Sequence, residues 1–386
     1  MSSITRELNQ LKEAHLYRHR RAIEATTGNR VRIEGREYLS FCSNDYLGLA
    51  QHPEVSDALQ RGARQWGVGS GASHLVSGHT RAHHALEEEL AEFVGRPRAL
   101  LFSTGYMANL GIITSLCGRG DEIYEDRLNH ASLLDGALLA QARLRRYPHN
   151  DAGALRRQLE KERDGRRLIA TDAVFSMDGD IAPLAALLEA AREQGAPLLV
   201  DDAHGFGVLG PQGRGSLHHL GLQDDHSAIL MATLGKALGT FGAFVAGDEA
   251  LIEYLINRAR SYIYTTALPP AVAEATRASL RLVKQEEWRR QRLHSLIKRF
   301  RQGASQLGLT LMDSQTPIQP LLIGDAESAI RFSEKLLEEG ILISAIRPPT
   351  VPKNTARLRI TLSAAHTETD VDRLLAALER CQEGRG

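Results

Sequence analysis

Leu198-Leu199-Val200-Asp201-Asp202-Ala203-His204 and Ile229-Leu230-Met231-Ala232-Thr233-Leu234-Gly235-Lys236 share one form: an apolar, strand-like run that stops abruptly at residues able to do chemistry. In an open α/β sheet the carboxyl ends of the strands are where ligands sit. Outward from these two runs, short apolar segments at 99–102, 122–124, 168–171, 197–200, 229–232 and 243–246 alternate with helical patterns from about residue 81 onward. That alternation predicts a mainly parallel sheet covered by helices on both faces.

The flanking regions read differently. Residues 5–25 predict a charged amphipathic helix with Leu8, Leu11 and Leu16 on one side. Two short strands, 30–33 and 38–41, follow around Glu34-Gly35-Arg36. Glycines cluster at Gly62, Gly67, Gly69, Gly71 and Gly78, but no strand leads into Gly67-Val68-Gly69, which argues against a dinucleotide fingerprint. Beyond Pro269-Pro270 the pattern predicts one long charged helix over 271–302. A strand (318–323), a helix (326–339), two strands (341–345 and 357–361) and a last helix (368–380) then form a small α+β unit. The expected organisation is an N-terminal segment over 1–45, a large domain over 46–285 and a small C-terminal domain over 286–386.

Bulk properties narrow the class. A chain of 386 residues exceeds one compact core. Lys plus Arg equals Asp plus Glu at 47 each, so no global charge points to nucleic acid or an anionic membrane. Cys42, Cys117 and Cys381 are scattered without ligand spacing, which predicts neither a disulfide framework nor a metal site. Met1 to Glu7 shows no apolar signal core, and no run approaches membrane-spanning length, so a cytoplasmic protein is expected.

An acid at one strand end and a lysine after another are what pyridoxal phosphate (PLP) chemistry requires: a lysine for the Schiff base and an aspartate for the pyridinium nitrogen. Lys236 follows a buried-type strand in a stretch light in other charges, with Gly235 and Gly239 leaving room for a close ligand. A solvated surface lysine is the plainer alternative. Asp201 and Asp202 either cap a turn or, on a continuing strand, point in opposite directions so that one faces a ring nitrogen. His204 could donate to a ring oxygen or simply pack. In Ser103-Thr104-Gly105-Tyr106 a strand ends and a helix begins; its free N–H groups make a phosphate cradle, with N-capping by Ser103 or Thr104 as the alternative. His130 could stack on a planar cofactor or serve structure alone.

Taken in order, these pieces resemble the α-oxoamine synthases among the fold-type I PLP enzymes. The resemblance spans nearly the whole chain: Phe41-Cys42-Ser43-Asn44-Asp45-Tyr46-Leu47-Gly48, Gly69-Ser70-Gly71-Ala72-Ser73, Ser103-Thr104-Gly105-Tyr106-Met107-Ala108-Asn109, Asn129-His130-Ala131-Ser132, Phe175-Ser176-Met177-Asp178-Gly179-Asp180, Asp201-Asp202-Ala203-His204-Gly205, Thr233-Leu234-Gly235-Lys236, Arg347-Pro348-Pro349-Thr350-Val351-Pro352 and Arg357-Leu358-Arg359-Ile360-Thr361. It implies an α/β fold with a large, mainly parallel seven-stranded sheet domain and a small α+β C-terminal domain. By the same resemblance Lys236, His130 and Asp201 are catalytic, and Gly105, Tyr106, Ser176, His204, Thr233, Thr265 and Thr266 also hold PLP. Thr265 and Thr266 are expected to reach the phosphate of a second copy in a homodimer with shared sites. Arg18, Asn44, His130, Arg347, Thr350 and Arg359 are the implied substrate contacts, Arg359 gripping an α-carboxylate as a guanidinium fork can.

The implied reaction is decarboxylative condensation of an amino acid with an acyl thioester. The Arg347 stretch most resembles members that join L-alanine to a pimeloyl thioester carried by CoA or an acyl carrier protein. Glycine with succinyl-CoA or acetyl-CoA is the alternative pairing. Arg347 itself either serves the far end of the acyl chain or closes a salt bridge. A non-catalytic partner subunit would lack the Schiff-base lysine, which is present here.

Overall fold

The fold comes from a computed structural model that describes residues 3–14, 16–161 and 164–383. It divides into two compact units, one of residues 49–176 and 181–287, the other of residues 1–48, 177–180 and 288–386.

The unit of residues 49–176 and 181–287 is built on seven strands: β1 (Arg98–Phe102), β2 (Glu122–Asp126), β3 (Arg143–Tyr147), β4 (Arg167–Asp172), β5 (Leu198–Asp201), β6 (Ala228–Thr233) and β7 (Ala243–Gly247). Their order is β1-β7-β6-β5-β4-β2-β3. β7 runs antiparallel to both neighbours and every other pair is parallel. The carboxyl ends of β1, β2, β4, β5 and β6 therefore share one edge. Leu100, Phe102, Leu168, Leu199, Ile229, Met231 and Val245 pack on one face with helices Gly105–Leu116, Ala131–Ala140 and Glu249–Arg258. The intervening Leu101, Ile169, Leu198, Val200, Leu230 and Phe244 are equally buried. Burial on both faces is why these strands read as unbroken apolar runs. β3, with the sequence Arg-Leu-Arg-Arg-Tyr, has no such run. It lies at the sheet's edge with one neighbour and keeps its arginines partly in solvent.

In the other unit, strands Arg30–Ile33 and Arg36–Ser40 pair around Glu34 and Gly35, both at positive φ. Strand Ile341–Leu342 adds in parallel to Arg36–Ser40, which ties the N-terminal residues to the C-terminal ones. Strands Ile318–Gly324, Ala356–Thr361 and Ser344–Ile346 form a separate antiparallel sheet.

Three sequence expectations change. The N-terminal helix covers only Ser3–Glu13 and buries nothing, so no packing extends it; the amides of Leu16 and Tyr17 both donate back to the Leu11 carbonyl. The long helix is two, Pro270–Gln285 and Glu287–Gln306, broken where Glu286 takes φ −100° and ψ 63°. The strand expected over 341–345 splits at Ile343, its halves belonging to different sheets. Among the described residues, no helix is long and apolar enough to cross a membrane.

Candidate active site

The carboxyl edge of the large sheet holds a cavity of about 150 Å³. Its wall brings together Gly105, Tyr106, His130, Ser176, Asp201, His204, Thr233 and Lys236, residues drawn from five segments of the sequence. A larger open groove, about 1050 Å³, lies at the opposite strand ends among Glu122, Arg143 and Arg167. It lies away from the carboxyl edge of the sheet, where strands of an open α/β sheet bind ligands, and the chemistry belongs to the smaller cavity.

Each wall follows from a strand end. After β1, helix Gly105–Leu116 starts with Thr104 as N-cap, its hydroxyl accepting the Met107 amide at 3.1 Å. Capping and anion binding coexist, because the Gly105 and Tyr106 amides have no intrahelical acceptors. Glycine is required at this start: a Cβ on Gly105 would lie 2.7 Å from Thr233 Cγ2 at the end of β6. The Tyr106 hydroxyl is turned away to Asp135.

Asp201, buried at the end of β5, accepts the Ala203 amide at 3.0 Å and Asn109 Nδ2 at 2.8 Å. Asn109 Nδ2 also donates to Ser132 Oγ, which contacts His130 Nδ1 at 2.7 Å. One buried polar chain thus fixes the acid and the imidazole together. Partial burial, the largest influence, lowers the pKa of His130, while the charge of Asp201 opposes it. Asp202 turns the other way, as strand alternation predicts, and is bonded to the amide of Ser216 at 2.7 Å and to its hydroxyl. Burial pushes its carboxyl up to about 7 against those hydrogen bonds.

The sequence reading missed three members of the site: Asn109, Ser132 and Asp172. Asp172 ends β4 directly in register with Asp201 on β5 and lines the same cavity. Burial, and then the charge of Asp201, hold its carboxyl well above the usual range, against the His130 amide and Lys236. Leu168-Ile169-Ala170-Thr171-Asp172 has the same apolar-to-acid form as the β5 segment and carried the signal.

The remaining predicted residues lie elsewhere. Thr265 and Thr266 are outside the cavity wall, Thr266 forming an isolated bridge with Ser73. In the unit containing the termini, Arg359 is oriented by Asn44 Oδ1 (3.1 and 3.2 Å) and Thr361 Oγ1 (2.8 Å). Arg347 donates to the Tyr17 carbonyl at 2.6 Å, and neighbouring Arg18 lowers its pKa further after burial. Among the described residues Arg347 makes no salt bridge. Thr350 is exposed, its amide on the Arg347 carbonyl.

The donor set fits PLP: helix-start amides and a hydroxyl for a phosphate, a buried carboxylate for a protonated ring nitrogen, an imidazole for a ring face, and a lysine amine. Fold and site together define a fold-type I PLP-dependent enzyme, and PLP is its cofactor. The model of the family "Aminotransferase class I and II" matches residues 36–378. An 8-amino-7-oxononanoate synthase from Nitrosococcus oceani is 63% identical over 96% of this chain and 99% of that protein. A solved 8-amino-7-oxononanoate synthase from Francisella tularensis is 35% identical with a TM-score of 0.78, covering 90% of this chain and 98% of that one. A serine palmitoyltransferase from S. paucimobilis, solved with bound PLP–myriocin, is 30% identical with a TM-score of 0.93, covering 99% of this chain and 97% of that one. The chain belongs to the aminotransferase class I and II family, on the branch of the 8-amino-7-oxononanoate synthases.

Proposed function

We propose that this chain joins L-alanine to a pimeloyl thioester, releasing carbon dioxide and the free thiol to give 8-amino-7-oxononanoate for biotin synthesis. The observation that carries this reading is 63% identity, over nearly the full length of both chains, to a protein named for that product.

Bound in the cavity, PLP supplies an electron sink that lets bonds at the amino acid's Cα break heterolytically. The Gly105 and Tyr106 amides and the Thr233 hydroxyl hold its phosphate, using the positive end of the helix. Asp201, steadied by Asn109 and the Ala203 amide, keeps the proton on the ring nitrogen. With PLP bound, His204 would donate to the ring oxygen, Ser176 would contact the cofactor and His130 would cover the ring, all three lining the cavity. Lys236 would anchor the bound PLP, and the free amine would take the Cα proton of alanine and later return one to that carbon. Arg359 grips the alanine carboxylate until it leaves as carbon dioxide, with Asn44 fixing the guanidinium plane. Arg347 and Arg18, two cations beside each other, together with Thr350, receive the acyl substrate.

The working form is a homodimer in the cytoplasm, Thr265 and Thr266 of each copy reaching the phosphate held by the other. Large apolar side chains left in solvent support self-association: Val68, Leu75, Val76, Leu138, Leu139 and Tyr264. Either CoA or an acyl carrier protein serves as the thiol, since both present the same thioester carbon.

The deciding experiment offers alanine, glycine and serine separately with pimeloyl-, succinyl-, acetyl- and palmitoyl-CoA and follows thiol release. Alanine with pimeloyl-CoA should exceed every other pair in kcat/KM. Preference for glycine with a short acyl-CoA, or for serine with palmitoyl-CoA, would move the chain to another member of the superfamily.

A further inference from the structure

Helix Arg81–Val94 and the turn before it carry a group of side chains that this reaction does not use. We infer that His79, His84 and Glu87 form a binding site for one divalent transition-metal ion of the zinc type.

Their candidate ligand atoms all lie within 4.8 Å of one another, and the three residues line a surface cavity of about 270 Å³. His84 and Glu87, three residues apart, share one helix face, and His79 comes in from the turn. Glu87 is mostly buried. Its Oε1 accepts the Leu101 amide at 2.9 Å, which fixes the carboxylate and leaves Oε2 facing His79 Nε2 at 3.9 Å. That gap is too long for a hydrogen bond. Two ligands on one tetrahedral ion, each bonded at about 2.0–2.2 Å, stand roughly 3.3–3.6 Å apart, so the pair need close by only a few tenths of an ångström.

The ring nitrogens decide which histidines are ligands. His83 is fully occupied: Nδ1 accepts the Thr80 amide at 3.0 Å and Nε2 donates to the Leu268 carbonyl. It anchors the segment and has no lone pair to give. His74 and His79 meet Nδ1 to Nδ1 at 3.0 Å, so one of them must donate. With His79 donating, its Nε2 lone pair points toward Glu87, and His74 becomes the outer partner that metal-bound imidazoles ordinarily have. His74 is itself held against Tyr262, the rings 4.8 Å apart and 13° from parallel. His84 is more than half exposed, its Nε2 3.3 Å from Glu88 Oε1, and can swing onto the ion.

Two imidazoles and one carboxylate, with a position left for water, select zinc, cobalt or nickel over magnesium or calcium. Such an ion would clamp the π-helical turn His74–Gly78 to the helix that follows it.

The test uses the PLP-loaded full-length protein, stripped with a chelator, dialysed and titrated calorimetrically with zinc ion. About one equivalent per chain should bind, with tenfold or more loss of affinity in His84→Ala and in Glu87→Gln, and magnesium should not compete. His84 is exposed, so that variant folds even if Glu87→Gln does not. No stoichiometric uptake by the parent protein, or undiminished affinity in His84→Ala, overturns the inference. Turnover is not the readout, so the result stands apart from the proposed reaction.

Discussion

Asp172 and Asp201 stand side by side at the ends of β4 and β5, and their surroundings differ. Asp201 accepts an N–H at each oxygen. Asp172 is buried beside that carboxylate, and burial together with the neighbouring charge raises its pKa well above the usual carboxyl range. Replacing each with asparagine separates the roles. Asp201→Asn removes the carboxyl group proposed to face the ring nitrogen and should cost at least about a hundredfold in kcat/KM. Asp172→Asn keeps the shape of a side chain whose pKa burial raises, lies off the proposed ring-nitrogen contact, and should stay within about tenfold of the parent. Equal losses in the two variants would refute the division. At this scale Lys236, Asp201 and His130 were legible because each interrupts an apolar or small-residue run with chemistry. Asn109 and Ser132 were not, because Asn109 reaches Asp201 across 92 positions of sequence and Ser132, the contact of His130, across 23.

At the scale of elements, the site depends on how closely helix Gly105–Leu116 starts against the end of β6. A methyl group added at Gly105 would meet Thr233 Cγ2 at 2.7 Å, so the helix start or the strand end must shift. Both hold the phosphate in the proposed reading. Gly105→Ala should therefore weaken PLP binding by about tenfold or more, read by titrating the cofactor's absorbance, while far-UV circular dichroism is unchanged. Gly118→Ala, where an added Cβ meets nothing within 4 Å, is the control and should bind PLP as the parent does. Undiminished binding in Gly105→Ala would show that the close approach is not needed. Six of the seven sheet strands were legible because they are buried on both faces, and in five of them polarity is confined to the ends of the run; β2 keeps Glu125 buried within it. β3 escaped notice because its Arg-Leu-Arg-Arg-Tyr sequence, kept partly in solvent, contains no apolar run. The break at Glu286 escaped because charged helical composition continues across it, and only the backbone there departs from the helix.

For the whole molecule, the proposed homodimer makes a claim that no single chain can satisfy. If Thr265 and Thr266 serve the phosphate of the other copy, each site takes Lys236 from one chain and the threonine pair from its partner. Two defective proteins should then rescue each other. Lys236→Ala has no amine at its own site, and a Thr265→Val, Thr266→Val double variant cannot complete its partner's phosphate site. In a mixed dimer one site collects both defects and the other collects none. Random reassortment makes half the dimers mixed, so up to about a quarter of all sites should recover full activity. Mixing the two proteins under conditions that let subunits exchange, then assaying thiol release at subsaturating PLP, tests this directly. Activity no greater than the average of the two parents would place both threonines in their own chain's site, or in none.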